Sequence, residues 1–385
     1  MPNKNNDVII IGAGSIGVPA ALSLAEKKLK VLVIDSEHSV GQQNNKKAIG
    51  GVRATHSDFG KINICKRSIE IFSTWKEKYG NDIGWLSHGY SFPAYTEDIE
   101  KKLKDLIKIQ TSFGLNIKWI SSEEYETLVP GIEMKNLRGS TYSPEDGSCS
   151  PLLSINAMYL RSLSLGAEYH FSEKVKHIIT QNNKIVKIKT NKDEYSCGYL
   201  LNAAGNNATE LAKLIDIDLS IFPDNHEAGI TEPVKRFFEP MIVDLRKRKG
   251  STNFYFYQNN EGQVVFCITP EPSILGIKND STSAFLPMCS RRMLEVYPRL
   301  GNLRVRRTWR GQYPMTPDGF PIIGKTKKYD NYINAVGMCG QGFMLGPGVG
   351  ELISRIVLEE KNPDDNRILE SFDLYRDFSG MEQFK

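Results

Sequence analysis

Apolar and polar positions along the chain follow two periods, and the switches between them mark the elements. Residues 7–11 form a continuous apolar run rich in β-branched side chains, the pattern of a strand buried on both faces. Gly12-Ala-Gly14-Ser-Ile-Gly17 interrupts it, after which Ile16, Ala20 and Leu24 keep helical spacing over residues 15–28. Val31–Ile34 repeats the buried-strand pattern, so the chain opens as a strand–helix–strand unit. Over residues 58–79, Ile62, Cys65, Ile69, Phe72 and Trp75 recur at three and four, which predicts one amphipathic helix.

Near Tyr90 the pattern changes to short strands, with a Lys-rich amphipathic helix over Glu97–Ser112 and a turn at Pro130-Gly131. Residues 151–165 read as a helix. The segments 174–180, 185–190 and 195–201 read as three short strands in a meander, separated by Asn, Lys and Asp turns. A second strand-rich section covers 221–310, with a hairpin at Asn259-Asn260-Glu261-Gly262 and a helix over 282–297. Tyr332–Val336 is a last strand, followed by a glycine-rich loop and a helix running to Glu359.

Composition narrows the class. At 385 residues, 40% hydrophobic and 24% charged, the chain fits two or three soluble globular domains and excludes disorder, collagen or a disulfide miniprotein. A net charge of +4 offers no bulk field for nucleic acid. Six scattered cysteines, with no paired spacing and no His at ligand distance, read as buried thiols rather than a metal site. No run approaches the roughly 18 apolar residues of a membrane span, and the N-terminus lacks the apolar core of a signal peptide. A cytoplasmic setting is the expectation.

Glycine placement carries the chemistry. Gly12, Gly14 and Gly17 sit between a strand and a helix, where they provide a tight turn, close backbone approach to a diphosphate and close helix packing. Ser15 and Ile16 lie at the helix N-terminus, whose exposed N–H groups suit an anion. Asp35 ends the next strand, where a carboxylate can hold ribose hydroxyls. NAD and FAD both remain open on this motif alone. Further clusters follow at Lys47-Ala-Ile-Gly50-Gly51-Val-Arg53, at Leu201-Asn-Ala-Ala-Gly205, at Asp318-Gly-Phe-Pro-Ile-Ile-Gly324 and at Gly337-Met-Cys-Gly-Gln-Gly342-Phe-Met-Leu-Gly346-Pro-Gly348-Val-Gly350. The paired glycines at 50 and 51 suggest backbone pressed against a flat ligand.

These clusters, in this order over essentially the whole chain, resemble the flavoprotein amine and amino-acid oxidoreductases of the D-amino-acid oxidase superfamily, in the glycine oxidase, sarcosine oxidase and proline dehydrogenase β-subunit branch. The resemblance implies noncovalent FAD, held by Gly12, Gly14, Ser15, Ile16, Gly17, Asp35, Ser36, Lys47, Ala48, Gly50, Gly51, Val175, Ala204, Gly205, Gly311, Gly340, Gly342, Phe343 and Met344. A late helix beginning near Gly346 would aim its dipole at the flavin.

For a substrate carboxylate the resemblance points to Arg53, whose planar fork suits bidentate binding, and Arg310 is a second candidate. Tyr255 and Tyr257 alternate with Phe254 and Phe256, so one pair must face inward, and one of the two tyrosines is a candidate substrate cap. His56 reads as a surface neighbour of a helix cap.

Departures from the pattern matter too. Gly311 stands where related enzymes carry a flavin-linked cysteine, Met344 where they carry a carboxylate-binding lysine, and no lysine occurs between Lys249 and Lys278, where an oxygen-activating one would be. The reading is an α/β fold: a Rossmann-like FAD domain (1–89, 143–220, 311–385) interleaved with a mixed antiparallel-sheet substrate domain (90–142, 221–310). The expected reaction is FAD-dependent oxidation of the C–N bond of a small amino acid or secondary amine, by a dehydrogenase rather than a fast oxidase. The electron acceptor could be a partner subunit. A 2-hydroxy-acid oxidoreductase and an FAD-bearing subunit of a dehydrogenase complex are the alternatives.

Overall fold

The buried-strand runs near the N-terminus assemble as their composition requires, side by side and parallel. The structure, a computed structural model, describes residues 5–382. Its first sheet runs in the order Ile322–Lys325, Tyr332–Val336, Glu194–Asn202, Asn5–Ile11, Val31–Ile34 and Glu168–His170. The last five are parallel. Val175–Gln181 and Lys184–Thr190 extend it as an antiparallel flap on Glu194–Asn202, which is the expected meander with its third strand recruited to the centre of the parallel sheet. The helices Gly17–Glu26, Phe59–Tyr79 and Gly342–Leu358 pack on one face through Val18, Leu24, Ile62, Phe72, Leu345 and Val349.

The second sheet takes strands from two distant stretches of chain. Its order is Val305–Met315, Phe222–Pro233, Gln263–Pro270, Ser251–Gln258, Met241–Asp244, Tyr90–Ala94, Gly139–Ser143 and Lys118–Ile120. Strand alternation gives this sheet two unlike faces. Phe254, Phe256, Val264 and Phe266 pack against the Phe285–Val296 helix. Tyr90, Phe92, Met241, Tyr257 and Val265 lie on the opposite face, where Ile49 of the first glycine-rich insertion packs against them. The Lys-rich helix occupies Glu97–Ser112, capped by Thr96, whose side chain accepts from the Ile99 amide.

All six cysteines are buried thiols. Among the described residues no helix is long and apolar enough to cross a membrane.

Candidate active site

Four parallel strands end at the same edge of the first sheet, and each is followed by one of the singled-out segments: Ile11 by Gly12, Ile34 by Asp35, Asn202 by Ala203 and Val336 by Gly337. The carboxyl edge of such a sheet is where ligands of doubly wound folds bind. Contacts draw the segments together. The Ala203 amide donates to Ile11 O at 2.9 Å. A Cβ at Gly12, where φ is +114°, would lie 2.4 Å from Ala203 O, and one at Gly17 would lie 1.8 Å from Gly12 O. Both positions therefore require glycine for the fold itself. Gly14 differs, because a Cβ there would meet nothing within 4 Å. Gly205 is likewise open.

The helix beginning at Gly17 has no capping side chain and no acidic residue in its first turn, so its N–H groups and positive end are available to an anion. Asp35 accepts from the Ala13 amide at 2.6 Å and the Glu37 amide at 2.8 Å, which fastens the glycine turn, and burial raises its carboxyl above the usual range despite those bonds. Ser36 is exposed beside it. Ser15 Oγ donates to Asn45 Oδ1 at 2.8 Å, tying the turn to the Asn45–Lys47 helical turn. The Asn44–Lys47 run is thus a structural part of this edge. Val175 is buried at the start of its strand, two residues beyond Glu173, whose amide donates to Asp35 O at 2.9 Å. The open backbone at Gly14, beside an uncapped helix end, fits an FAD diphosphate.

The loop carrying Gly50 and Gly51 leads from this edge to the second sheet. Trp309 Nε1 donates to Lys47 O at 2.8 Å, and a Cβ at Gly311 would lie 3.1 Å from Lys47 Cβ. Lys47 Nζ donates to Asn279 Oδ1 at 2.8 Å. A Cβ at Gly51 would lie 2.1 Å from the Tyr90 hydroxyl and 2.7 Å from Met241 Cε, so only glycine lets this backbone lie on that face. Ala48 and Ile49 are partly exposed between the sheets.

The tyrosine alternative resolves as Tyr255 and Tyr257 on the face that meets the Gly50-Gly51 loop, with Phe254 and Phe256 in the helix-backed core. Their roles divide. Tyr257 donates its hydroxyl to Ile49 O and so clasps the glycine loop. Tyr255 shares a 2.9 Å hydrogen bond with Tyr313, whose ring lies against Gly340. Burial pushes both phenols above their usual range, so both keep their protons at neutral pH.

Arg53 is buried under the same face. Its Nη1 donates to Thr55 O and stands 3.4 Å from His56 Nδ1, and its guanidinium lies 5.9 Å from the Phe92 ring centroid. His56 is fully buried rather than superficial, and burial, then the Arg53 charge, hold its imidazole well below the usual range. Asp146 Oδ1 accepts from the Ala54 amide at 2.8 Å, and burial pushes this carboxyl up to about 7. The folded value thus exceeds the unfolded one, so the stability from this proton is full below about pH 4 and is lost as pH rises through about 7. Asp146→Asn keeps the acceptor and has no proton to lose. Its melting temperature should gain on the wild type between about pH 5 and 8, and a difference flat with pH would show that Asp146 is not the titrating group.

Three expectations are corrected. Arg310 does not reach this side: Trp309, Gly311 and Tyr313 face the cofactor domain, and alternation sends Arg310 to the other face, where Nη2 donates to Glu227 Oε1 at 2.8 Å. Glu227 is itself held by the Thr282 amide and hydroxyl, both at 2.7 Å. The late helix begins at Gly342, not near Gly346. Gly346, Gly348 and Gly350 instead let that helix pack closely, their Cβ positions falling 2.0 Å from Ser15 O, 2.4 Å from Ile64 O and 2.7 Å from Pro19. Finally, the Phe343 side chain stacks on Phe72 in the core, so only its backbone is near the edge, while Gly342 and Met344 are partly exposed.

Tyr90, Tyr313 and His226 were not anticipated, although Tyr313 stands two residues from Gly311 on the same strand face.

A parallel sheet whose carboxyl edge carries glycine turns and an uncapped helix end, joined through a glycine loop to a mixed sheet with a tyrosine-lined face, is the architecture of a dinucleotide-dependent oxidoreductase. The chain belongs to the DAO family of FAD-dependent oxidoreductases, whose family model matches residues 7–356. It is similar to the bifunctional protein ThiO/ThiG of Nostoc sp., 24% identical over 92% of this chain and 53% of that protein. It is also similar to sarcosine oxidase subunit beta of Rhodobacter capsulatus, 22% identical over 94% and 87%. The chain spans about half the length of the ThiO/ThiG proteins it matches. Among solved structures, L-proline dehydrogenase from P. horikoshii superposes with a TM-score of 0.90 at 30% identity, covering 97% of this chain and 98% of that one.

Proposed function

We propose that this chain oxidises the C–N bond of a small amino acid or N-substituted amino acid, giving an imine that water then hydrolyses. The observation that carries the reading is the juxtaposition of Arg53 with the tyrosine-lined face, next to the glycine loop that joins it to the cofactor edge. FAD, when bound, supplies the hydride acceptor. Arg53 holds the substrate carboxylate through its guanidinium. Tyr255 and Tyr313 cover the substrate from the sheet side, and the Tyr257 bond to Ile49 O keeps the loop against the same face. The buried face excludes water, so the amine reacts in its place and hydrolysis follows release.

The similarity to an L-proline dehydrogenase and to a sarcosine oxidase subunit makes proline and sarcosine the first substrates to try. With no lysine between Lys249 and Lys278, the reading favours an acceptor other than oxygen, a quinone or the redox centre of a partner protein.

Side-by-side anaerobic mixing of the FAD-loaded protein with proline, sarcosine, glycine, D-alanine, lactate and glycerol 3-phosphate tests the class. Bleaching of the flavin band by at least one amine and by neither hydroxyl compound is expected. Bleaching by lactate or glycerol 3-phosphate alone would replace the C–N reading with oxidation at C–OH.

A further inference from the structure

Residues 53–58 run from the glycine loop to the start of the Phe59–Tyr79 helix without a strand or helix of their own. Backbone outside a ladder is held in place by whatever else bonds it. Arg53 depends on this stretch: its Nη1 donates to Thr55 O and stands 3.4 Å from His56 Nδ1, so the guanidinium leans on the residues just after it. The stretch is tied down from distant parts of the chain. Asp146 Oδ1 accepts from the Ala54 amide at 2.8 Å, and Gln110 Nε2 donates to His56 O at 3.0 Å. Glu382 takes the next residue, its Oε1 accepting from the Ser57 hydroxyl at 2.5 Å and from the Ser57 amide at 3.3 Å.

The other oxygen of Glu382 stands 3.2 Å from Lys61 Nζ, and both side chains of this pair are 0% exposed. Lys61 Nζ also donates to Gly319 O at 2.8 Å. A buried ion pair must offset two desolvation penalties, and apolar side chains of similar volume often stabilise a fold as well or better. What a carboxylate adds is direction, with one oxygen on Lys61 and the other on Ser57. The chain around Glu382 is fastened to keep it there. The Glu382 amide donates to Asp318 O at 3.0 Å, and Arg376 grips the Asp318 carboxylate with Nε at 2.7 Å and Nη2 at 3.0 Å. The same Nη2 donates to Phe320 O at 2.9 Å. The Asp318-Gly-Phe-Pro cluster is therefore the platform for a strap that carries Glu382 to the Arg53 stretch.

We infer that Glu382 is a positioning residue for substrate binding: with its charge balanced by Lys61, it holds Ser57 and so fixes the Thr55–His56 backbone on which the Arg53 guanidinium rests, setting the direction from which Arg53 takes the substrate carboxylate. The inference rests on the amino-acid reading above, in which Arg53 binds that carboxylate.

The test uses FAD-loaded protein and benzoate, a carboxylate that cannot be oxidised, with its Kd read from the flavin difference spectrum. Removing Glu382 alone would leave the Lys61 charge buried without its counterion and destabilise the fold. The paired variant Lys61→Met with Glu382→Leu removes both charges at similar volume, so it should melt close to the wild type while lacking the acceptor for Ser57. We expect it to weaken benzoate about tenfold, the worth of one buried hydrogen bond, with FAD content unchanged. Ser57→Ala, which keeps the ion pair and loses the hydroxyl donor, should weaken benzoate in the same direction and serves if the paired variant does not fold. Added to Arg53→Met, either change should weaken benzoate no further, because the contact it misplaces is already gone. Wild-type benzoate affinity in the folded variants would make Glu382 a support of the fold alone, and losses that multiply with Arg53→Met would show that it does not act through Arg53. Either result overturns the inference. If wild-type protein holds FAD but benzoate, proline and sarcosine all leave its spectrum unchanged, the amino-acid reading itself fails, an outcome distinct from the other two.

Discussion

Gly14→Ala is expected to yield a protein that folds and melts like the wild type but is purified without its yellow cofactor. The position has no neighbour within 4 Å of an added Cβ and no left-handed backbone to strain, so the apoprotein has room for the methyl group. The cost arises only when a diphosphate approaches the backbone and meets that methyl. Losing the close approach to the turn and to the uncapped helix end should weaken FAD by roughly 100-fold or more. Gly12 and Gly17 provide the contrast within the same motif. An alanine at either would strike a carbonyl oxygen of the fold, Ala203 O or Gly12 O, and those variants should lose stability before any question of cofactor arises. FAD titration of stripped protein, paired with thermal melts without FAD, separates the two effects. Wild-type affinity in Gly14→Ala would mean that the diphosphate does not lie over this turn.

The second large effect concerns Arg53. Arg53→Met keeps much of the side chain's length and its packing on Phe92 but removes the fork of donors. Loss of a charge-assisted contact in a buried site is worth about 2–3 kcal/mol, so KM for an amino-acid substrate should rise roughly 30- to 150-fold. Amines without a carboxylate should lose little, and FAD should stay bound. Asp146, left without the nearby positive charge, would simply hold its proton to higher pH. Equal losses for substrates with and without a carboxylate would mean that Arg53 supports the loop and does not touch the ligand.

Much of this arrangement was legible in the sequence because glycine is informative where backbone must pass close to something. The order of the clusters, together with strands and helices between them, was enough to read a parallel sheet and an interleaved second sheet. The helix near Glu97 to Ser112 was readable from its Lys-rich amphipathic pattern, and the Thr96 cap and acidic first turn agree with that start. Other features depended on contacts between distant segments. The alternation around Arg310 was visible, but which face met the cofactor domain is set by Lys47, more than 250 residues away in the chain. Gly346, Gly348 and Gly350 looked like a loop against a ligand because close helix packing and close ligand approach demand the same missing side chain. His226 has one partner within reach of the sequence, Asp224 two residues earlier, but the Tyr313 ring it lies on belongs to another strand and could not be read locally.

On the proposed reading, one chain carries both the cofactor and the substrate site. The most direct measurement is an anaerobic titration of the purified FAD-loaded chain, with no other protein present, against its best amine substrate. Complete bleaching of the flavin band is expected, with one equivalent of carbonyl product released for each FAD reduced. A flavin that stays oxidised with every amine until a second subunit is added would contradict it and put the substrate site on the partner.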